Sequence, residues 1–115
     1  MAVKLALVIR ADLGMGRGKI AAQAAHAAVA ATLATLGEPD SEAWLAEGQP
    51  KVVLKAVSPA QLEDIVSQAL TASLPVQTIH DAGRTQVTAG TLTCCAIGPA
   101  QAELIDLVTA DLSLL

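Results

Sequence analysis

The first 36 residues place a short apolar segment, a glycine-rich loop and a long alanine-rich segment in that order, and this order strongly constrains the fold. Residues 3–10 (VKLALVIR) are rich in Val, Leu and Ile, which is typical of a buried β-strand. Residues 11–18 contain three glycines and are expected to form a loop. Residues 17–36 are dominated by alanine, which has the highest helix propensity. The sequence therefore predicts a strand–loop–helix unit.

The rest of the chain continues the alternation of helices and strands. Three further strands are predicted at residues 51–57, 76–80 and 92–97. Three further helices are predicted: one capped by Asp40 or Ser41 and ending at Glu47, one at 59–72, and one opened by Pro99 and ending near Thr109. Ser58 and Gln61 have the spacing of a capping box around Pro59. The final LSLL is expected to be a short extended tail.

This order of elements predicts how the strands pair. The first two strands are joined through helices and should be parallel, with a right-handed crossover. The third and fourth are joined by residues 81–90 without a helix, which is too short for a parallel crossover, so they should be antiparallel. We expect a single α/β domain spanning residues 1–115, with a four-stranded mixed sheet and helices on both faces.

The composition indicates in which cellular compartment the protein is expected. Thr, Gln or His interrupts every long apolar stretch well before the roughly 18–20 residues that span a bilayer, and no signal peptide is evident, so we expect a cytoplasmic protein without a membrane partner. Cys94 and Cys95 are adjacent and should point to opposite faces of a strand. They are interpreted as small core residues of a protein in a reducing compartment.

Charge and aromatic content restrict the classes of ligand that the chain is expected to bind. The net charge of −4 argues against general nucleic-acid binding, but all seven Lys and Arg residues lie within the first 84 positions. This distribution suits an anionic ligand held at one place, and it would also suit a protein that works in high salt. Trp44 is the only aromatic residue, which excludes RNA recognition by base stacking. An RNA partner would have to be bound through phosphates and shape.

The glycine loop leads into a helix start, where backbone N–H groups and the helix dipole favour phosphate. A P-loop would require Gly and Ser or Thr where Leu13 and Ile20 stand. A dinucleotide fingerprint fits loosely as Gly16-x-Gly18-x-x-Ala21, but a second helix intervenes before the next strand. An anion site and a purely structural turn both remain open.

Two further segments carry polar groups that could do chemistry. Lys19, Gln23 and His26 have i, i+4, i+7 spacing and share one helix stripe, beside an apolar stripe formed by Ile20, Ala24, Ala27 and Ala31. Asp81 begins the segment DAGRTQ directly after the third strand, and Thr93 could reach it from the fourth. The alternatives are a solvated helix face and an ordinary turn. Without a GxSxG elbow or metal-ligand spacing, a hydrolase would have to activate water with Asp81 or His26.

Taken together, these segments resemble the archaeal and eukaryotic-type (class two) peptidyl-tRNA hydrolase family. The resemblance runs in order through IRADLGMGRGKIAAQAAHA, GQPKVVLK, DAGRTQVTAGTLT, AIGPA and ELIDLVT. It implies a three-layer α/β domain with a four-stranded mixed sheet, often a homodimer, that binds peptidyl-tRNA and needs neither metal nor cofactor. Gly14 stands where the family usually has Lys, Arg17 replaces another basic residue, and Ala24-Ala25 replaces a frequent Cys-Ser.

The resemblance also implies the site. The predicted catalytic residues are Lys19, His26, Asp81, Thr85 and Thr93. The predicted tRNA- and phosphate-binding residues are Gly16, Arg17, Gly18, Gln23, Arg84 and Gln86. The hypothesis is hydrolysis of the ester between peptide and tRNA by a water that Asp81 activates. Two other classes stay open: a non-catalytic binding module, suggested by Gly14, and a nucleotide-dependent oxidoreductase, suggested by the loose fingerprint.

Overall fold

The computed structural model describes residues 2–82 and 89–115, which form four α-helices and five β-strands. The strands are β1 (Val3–Arg10), β2 (Lys51–Ala56), β3 (Val76–His80), β4 (Leu92–Gln101) and β5 (Ser113–Leu114). The helices are α1 (Arg17–Ala34), α2 (Pro39–Ala46), α3 (Pro59–Thr71) and α4 (Ala102–Thr109). No helix within the described residues is long and apolar enough to cross a membrane.

All five strands belong to one sheet with the order β3-β4-β1-β2-β5. β1 and β2 are parallel, and β3 and β4 are antiparallel, so both pairing predictions are confirmed. The predicted count of four strands is wrong, because the C-terminal tail pairs with β2 through Leu54 and Leu114. A strand of two residues is too short to show a periodic pattern, and its pairing covers an edge of β2 that would otherwise be open.

The expectation that Pro99 opens the last helix is also wrong. β4 continues through Gly98 and Pro99 to Gln101, and α4 begins only at Ala102. The register against β1 shifts between Lys4 and Ala6, which marks a bulge in β4, and a proline can be accommodated at a bulge. Gly98 has φ +110°, and a Cβ there would lie 2.9 Å from the Lys4 carbonyl oxygen, so this bend requires glycine.

A side-chain cap fixes the start of α3, whereas α2 starts at a proline without one. Ser58 caps α3 as predicted: the Gln61 N–H donates to its hydroxyl at 3.0 Å, while the Gln61 side chain accepts from the Val57 N–H at 2.8 Å. α2 instead begins one residue before Asp40, at Pro39, with Glu38 as its cap, so Asp40 and Ser41 lie inside the helix. Proline suits the first helical position because its fixed φ is already helical.

The helices pack on the sheet in two pairs, and alternate residues of β1 separate the two cores. Leu5, Leu7 and Ile9 pack with α1 and α2, whereas Ala6 and Val8 pack with α3 and α4. The predicted apolar stripe of α1 is confirmed, since Ala27 and Ala31 are buried there and Ile20 and Ala24 pack against the same core. β1 and β3 both run antiparallel to β4, so their ends meet the start of β4 at one edge of the sheet.

Candidate active site

Polar side chains from three segments converge at this edge. Lys19 forms an ion pair with Asp81 Oδ1, and Gln23 Nε2 lies 3.4 Å from the same oxygen. Thr93 Oγ1 lies 3.2 Å from Gln23 Oε1 and also 3.2 Å from the Ile79 carbonyl oxygen. The first turns of α1, the end of β3 and the start of β4 therefore contribute to one connected cluster, which we call the Lys19–Asp81 cluster (Lys19, Gln23, Asp81 and Thr93).

The backbone of Asp81 is held from both sides. Its N–H donates to the Thr91 carbonyl oxygen at 2.8 Å, and its own carbonyl accepts from the Gly90 N–H at 2.8 Å. These bonds continue the β3–β4 pairing beyond the end of β3. The carboxylate therefore projects from a fixed position rather than from an independent turn.

The cluster is nearly closed to water. The side chain of Asp81 is 1% exposed and that of Lys19 is 11% exposed. A buried carboxylate requires a partner charge and hydrogen-bond donors, and Lys19 and Gln23 supply them. Such a carboxylate, held beside a cation, can orient a water molecule or accept its proton.

Gln23, which the resemblance assigns to the tRNA- and phosphate-binding residues, is a buried residue. It is only 8% exposed and belongs to the sheet-facing side of α1 with Ala27 and Ala31. The polar and apolar stripes overlap there because i and i+4 positions lie close together on a helix. His26, one turn further along α1, is exposed.

The other predicted binding residues lie around the start of α1. Gly16 is the N-cap residue, its carbonyl accepts from the Ile20 N–H at 3.0 Å, and Arg17 and Gly18 are exposed. First-turn N–H groups have no acceptor within a helix, which suits an anion at this end. The predicted Arg84, Thr85 and Gln86 lie outside the described residues.

The geometry of the loop explains Gly14 and bears on the dinucleotide fingerprint. Gly14 has φ +66°, a conformation that glycine adopts without strain and a lysine would not. Ala21 is exposed, so it does not make the close helix–strand contact that a dinucleotide fingerprint requires. Gly14 therefore shapes the turn that leads to α1, and the fingerprint lacks its structural context.

Sequence reasoning missed a second, partly buried charge pair, which lies at the end of β1. Arg10 binds both carboxylate oxygens of Asp12, at 3.1 and 2.6 Å, and donates to the Leu92 carbonyl oxygen at 3.1 Å. The hydrogen bond from Arg10 lowers the pKa of Asp12, and the same bond raises the pKa of Arg10. Arg10 therefore links the end of β1 to the start of β4. The Arg-x-Asp spacing at the end of a predicted strand was the available signal.

Comparison with known proteins identifies the family. The family described as Peptidyl-tRNA hydrolase PTH2 matches residues 3–115. The chain belongs to this family. A peptidyl-tRNA hydrolase of Sulfurisphaera tokodaii is 49% identical over 121 residues, with 100% of each chain covered. One from Metallosphaera sedula is 48% identical over 117 residues, covering 98% of this chain and 100% of the relative.

The match to the peptidyl-tRNA hydrolase family confirms the resemblance inferred from the sequence segments, and it covers both halves of the Lys19–Asp81 cluster. A solved structure of a protein of unknown function from Agrobacterium tumefaciens strain C58 also aligns, with a TM-score of 0.57 and 14% identity. It covers 100% of this chain and 98% of that one. At this identity the likeness concerns the fold alone.

The cysteines of this family member are core residues. Cys94 and Cys95 are both buried and belong to opposite cores, as predicted for neighbours on a strand. Burial raises the pKa of Cys94 to about 11 and that of Cys95 to about 12, so neither is a thiolate nucleophile at neutral pH. Among the described residues no three His, Cys, Asp or Glu side chains are grouped to hold a metal ion.

Proposed function

We propose that this chain hydrolyses the ester bond of peptidyl-tRNA, releasing the peptide and free tRNA, by activating water without a metal or a covalent nucleophile. The observation that carries the proposal is the buried Asp81 carboxylate, held by Lys19 and Gln23 beside the start of α1. Membership of the peptidyl-tRNA hydrolase family supports the choice of substrate. The raised pKa values of the two buried thiols support water rather than a cysteine as the nucleophile.

The proposed reaction starts with phosphate binding. Arg17 and the first-turn N–H groups of α1 hold the phosphates near the 3′ end of the tRNA. The full proposed binding set is Gly16, Arg17, Gly18, Arg84 and Gln86. Because Gly16, Arg17 and Gly18 are exposed at the start of α1, the tRNA approaches the same edge of the sheet that carries the carboxylate.

Asp81 then accepts a proton from a water molecule whose oxygen attacks the ester carbonyl carbon. Lys19 stabilises the negative charge that develops on the carbonyl oxygen, and Thr93 and Thr85 position the carboxylate. As the carbon–oxygen bond to the ribose breaks, His26 donates a proton to the leaving ribose oxygen. One positioned acid–base group accelerates a reaction roughly 10²–10⁴-fold, so a few such groups suffice for an activated ester.

The assembly and compartment are part of the proposal. We propose a single three-layer domain that works as a homodimer in the cytoplasm. The two helix pairs on opposite cores support the layers. The resemblance supports the dimer, and a substrate generated by translation supports the compartment.

The decisive experiment compares N-acetyl-aminoacyl-tRNA with free aminoacyl-tRNA as substrates of the purified protein. We expect release of the N-acetyl amino acid, slower turnover of the free aminoacyl ester, and loss of activity in Asp81→Asn. Binding of tRNA without turnover would instead indicate a non-catalytic module. Equal rates on both substrates would indicate a general esterase.

A further inference from the structure

We propose that Gln23 is a positioning residue for this reaction, which transmits the orientation of the Thr93 hydroxyl to the Asp81 carboxylate. The inference rests on the proposed function and replaces the assignment of Gln23 to phosphate binding. Its starting point is burial: Gln23 is 8% exposed, and its backbone carbonyl also accepts from the Cys94 thiol at 3.6 Å. The Gln23 side chain therefore faces the cluster and exposes little surface to a phosphate.

Both ends of the Gln23 amide are used within the cluster. Nε2 faces Asp81 Oδ1 at 3.4 Å, and Oε1 faces Thr93 Oγ1 at 3.2 Å. An ionised carboxylate only accepts hydrogen bonds, so the NH₂ group must face Asp81 and the amide oxygen must face Thr93. A carboxylate side chain at position 23 would lack the donor, and an aliphatic one would lack both groups.

Thr93 acts on Asp81 through this amide. Its hydroxyl is fully buried and has one proton, but two acceptors lie at 3.2 Å: Gln23 Oε1 and the Ile79 carbonyl oxygen. Donation to Gln23 fixes the direction of the amide and therefore the donor presented to Asp81. The 3.4 Å contact is long for a hydrogen bond, so its contribution is orientation more than binding energy.

The side chains of Lys19 and Gln23 both donate to Oδ1 of Asp81, and they do so from consecutive turns of α1. Lys19 supplies the positive charge, and Gln23 supplies a hydrogen-bond donor from a second direction. Two donors from one rigid helix therefore fix the position of Oδ1. Loss of Gln23 should leave the phosphate contacts intact and allow the carboxylate to rotate. A small misplacement of a reacting group can lower the rate by roughly 10- to 100-fold.

The test compares Gln23→Met, which keeps the length of the side chain, with Gln68→Met as a matched control. Gln68 Nε2 donates to Asp64 Oδ2 at 2.7 Å on the exposed surface of α3, so the control removes the same kind of Gln–Asp contact away from the site. With N-acetyl-aminoacyl-tRNA as substrate, we expect kcat of Gln23→Met to fall roughly 10- to 100-fold. KM and its salt dependence should be unchanged, and Gln68→Met should match the wild type.

Two further variants test the transmission itself. Gln23→Glu places a second carboxylate beside Asp81, and two adjacent carboxylates resist joint ionisation, so the acid limb of its pH–rate profile should move to higher pH. Thr93→Val should lower kcat, Thr93→Ser should restore it, and Gln23→Met with Thr93→Val should lose no more than the more damaging single change. Circular dichroism establishes folding, and Gln23→Glu serves as the polar variant if Gln23→Met fails to fold.

The outcomes separate cleanly. A folded Gln23→Met protein with the kcat of the wild type would overturn the inference while leaving the hydrolase proposal standing. A raised KM with a smaller salt dependence and unchanged kcat would return Gln23 to phosphate binding. A wild-type protein without turnover would overturn the proposed function, and the positioning role with it.

Discussion

The Lys19–Asp81 pair places two opposite charges where little water reaches them. Removing such ions from water costs on the order of several kcal/mol each, and their attraction offsets this cost only with good geometry and additional hydrogen bonds. The pair therefore contributes little net free energy to the stability of the fold, although breaking it would leave an uncompensated buried charge. Its position at the edge where β1, β3 and β4 meet favours a role in the reaction.

Substitutions of the two charged residues should change kcat and KM in different ways. Lys19→Ala should raise KM and lower kcat, because the ammonium group can contact both phosphate and the developing oxyanion. Asp81→Asn should lower kcat and kcat/KM about equally, because an anion contributes little to binding an anionic substrate. The Asp81→Asn loss should be roughly 10²-fold or more. Steady-state kinetics on N-acetyl-aminoacyl-tRNA measure both variants.

Melting temperatures of the same proteins provide the control for the structural alternative. If Asp81 only stabilises a turn, Asp81→Asn melts at a lower temperature and retains near-normal turnover per folded molecule. That result would remove Asp81 from the mechanism and leave His26 as the candidate base.

Among the elements, α3 depends on a side-chain cap that lies outside the Lys19–Asp81 cluster. Ser58→Ala removes the acceptor for the Gln61 N–H and should lower the free energy of unfolding by about 1 kcal/mol. Activity should be unchanged. Ser67→Ala is the matched control, because Ser67 is exposed within the same helix and should change stability little. Urea denaturation of both variants measures the difference, and equal stabilities would contradict the cap assignment.

The buried thiol of Cys95 in β4 should make the stability of the protein sensitive to alkaline pH. The pKa of Cys95 is raised to about 12 by burial, whereas an unfolded thiol has a pKa of about 8.5. The folded state therefore keeps a proton that the unfolded state loses. The resulting stabilisation is complete below about pH 8.5 and is lost as the pH rises towards 12, by up to ~1.4 kcal/mol per pH unit.

Urea denaturation at pH 7.5 and pH 10.5 under reducing conditions tests this expectation. Cys95→Ala should be less stable than the wild type at pH 7.5, because a buried side chain is truncated, but it should lose less stability between the two pH values. If both proteins lose the same amount, the alkaline sensitivity comes from other groups.

For the whole molecule, the net charge of −4 and the exposed start of α1 make tRNA affinity a local electrostatic effect. Trp44 is buried, and the sequence contains neither Phe nor Tyr, so base stacking cannot supply the affinity. The slope of log K against log salt should correspond to about two to four phosphate contacts. Fluorescence anisotropy of labelled tRNA across a salt series measures the slope, and Arg17→Ala should reduce it by about one contact. A flat response would contradict phosphate binding.

Local sequence patterns were sufficient to predict most helices and strands. They failed where pairing between distant segments determines the bounds of a strand. Hydrophobic composition predicted the strand β1, capping chemistry predicted the start of α3, and connection length predicted the parallel pairing of β1 with β2. Each of these signals lies within a short segment of the sequence. The extension of β4 through Pro99 depends on a bulge against Lys4. The fifth strand depends on Leu114 reaching Leu54. Neither partner is adjacent in sequence, so no local pattern reports them.

The sequence by itself determined the fold class, the family and which polar residues stand near strand and helix ends, because these follow from local propensity and from recognisable segments. Only the tertiary structure decided how those residues are used. Helical spacing placed Gln23 with Lys19 on a polar stripe, yet packing of α1 on β4 buried Gln23 between Thr93 and Asp81. Likewise, only the folded chain shows that Arg10 binds the Asp12 carboxylate and the Leu92 carbonyl oxygen. Burial and pairing depend on which surfaces meet, and that information exists only when the whole chain is folded.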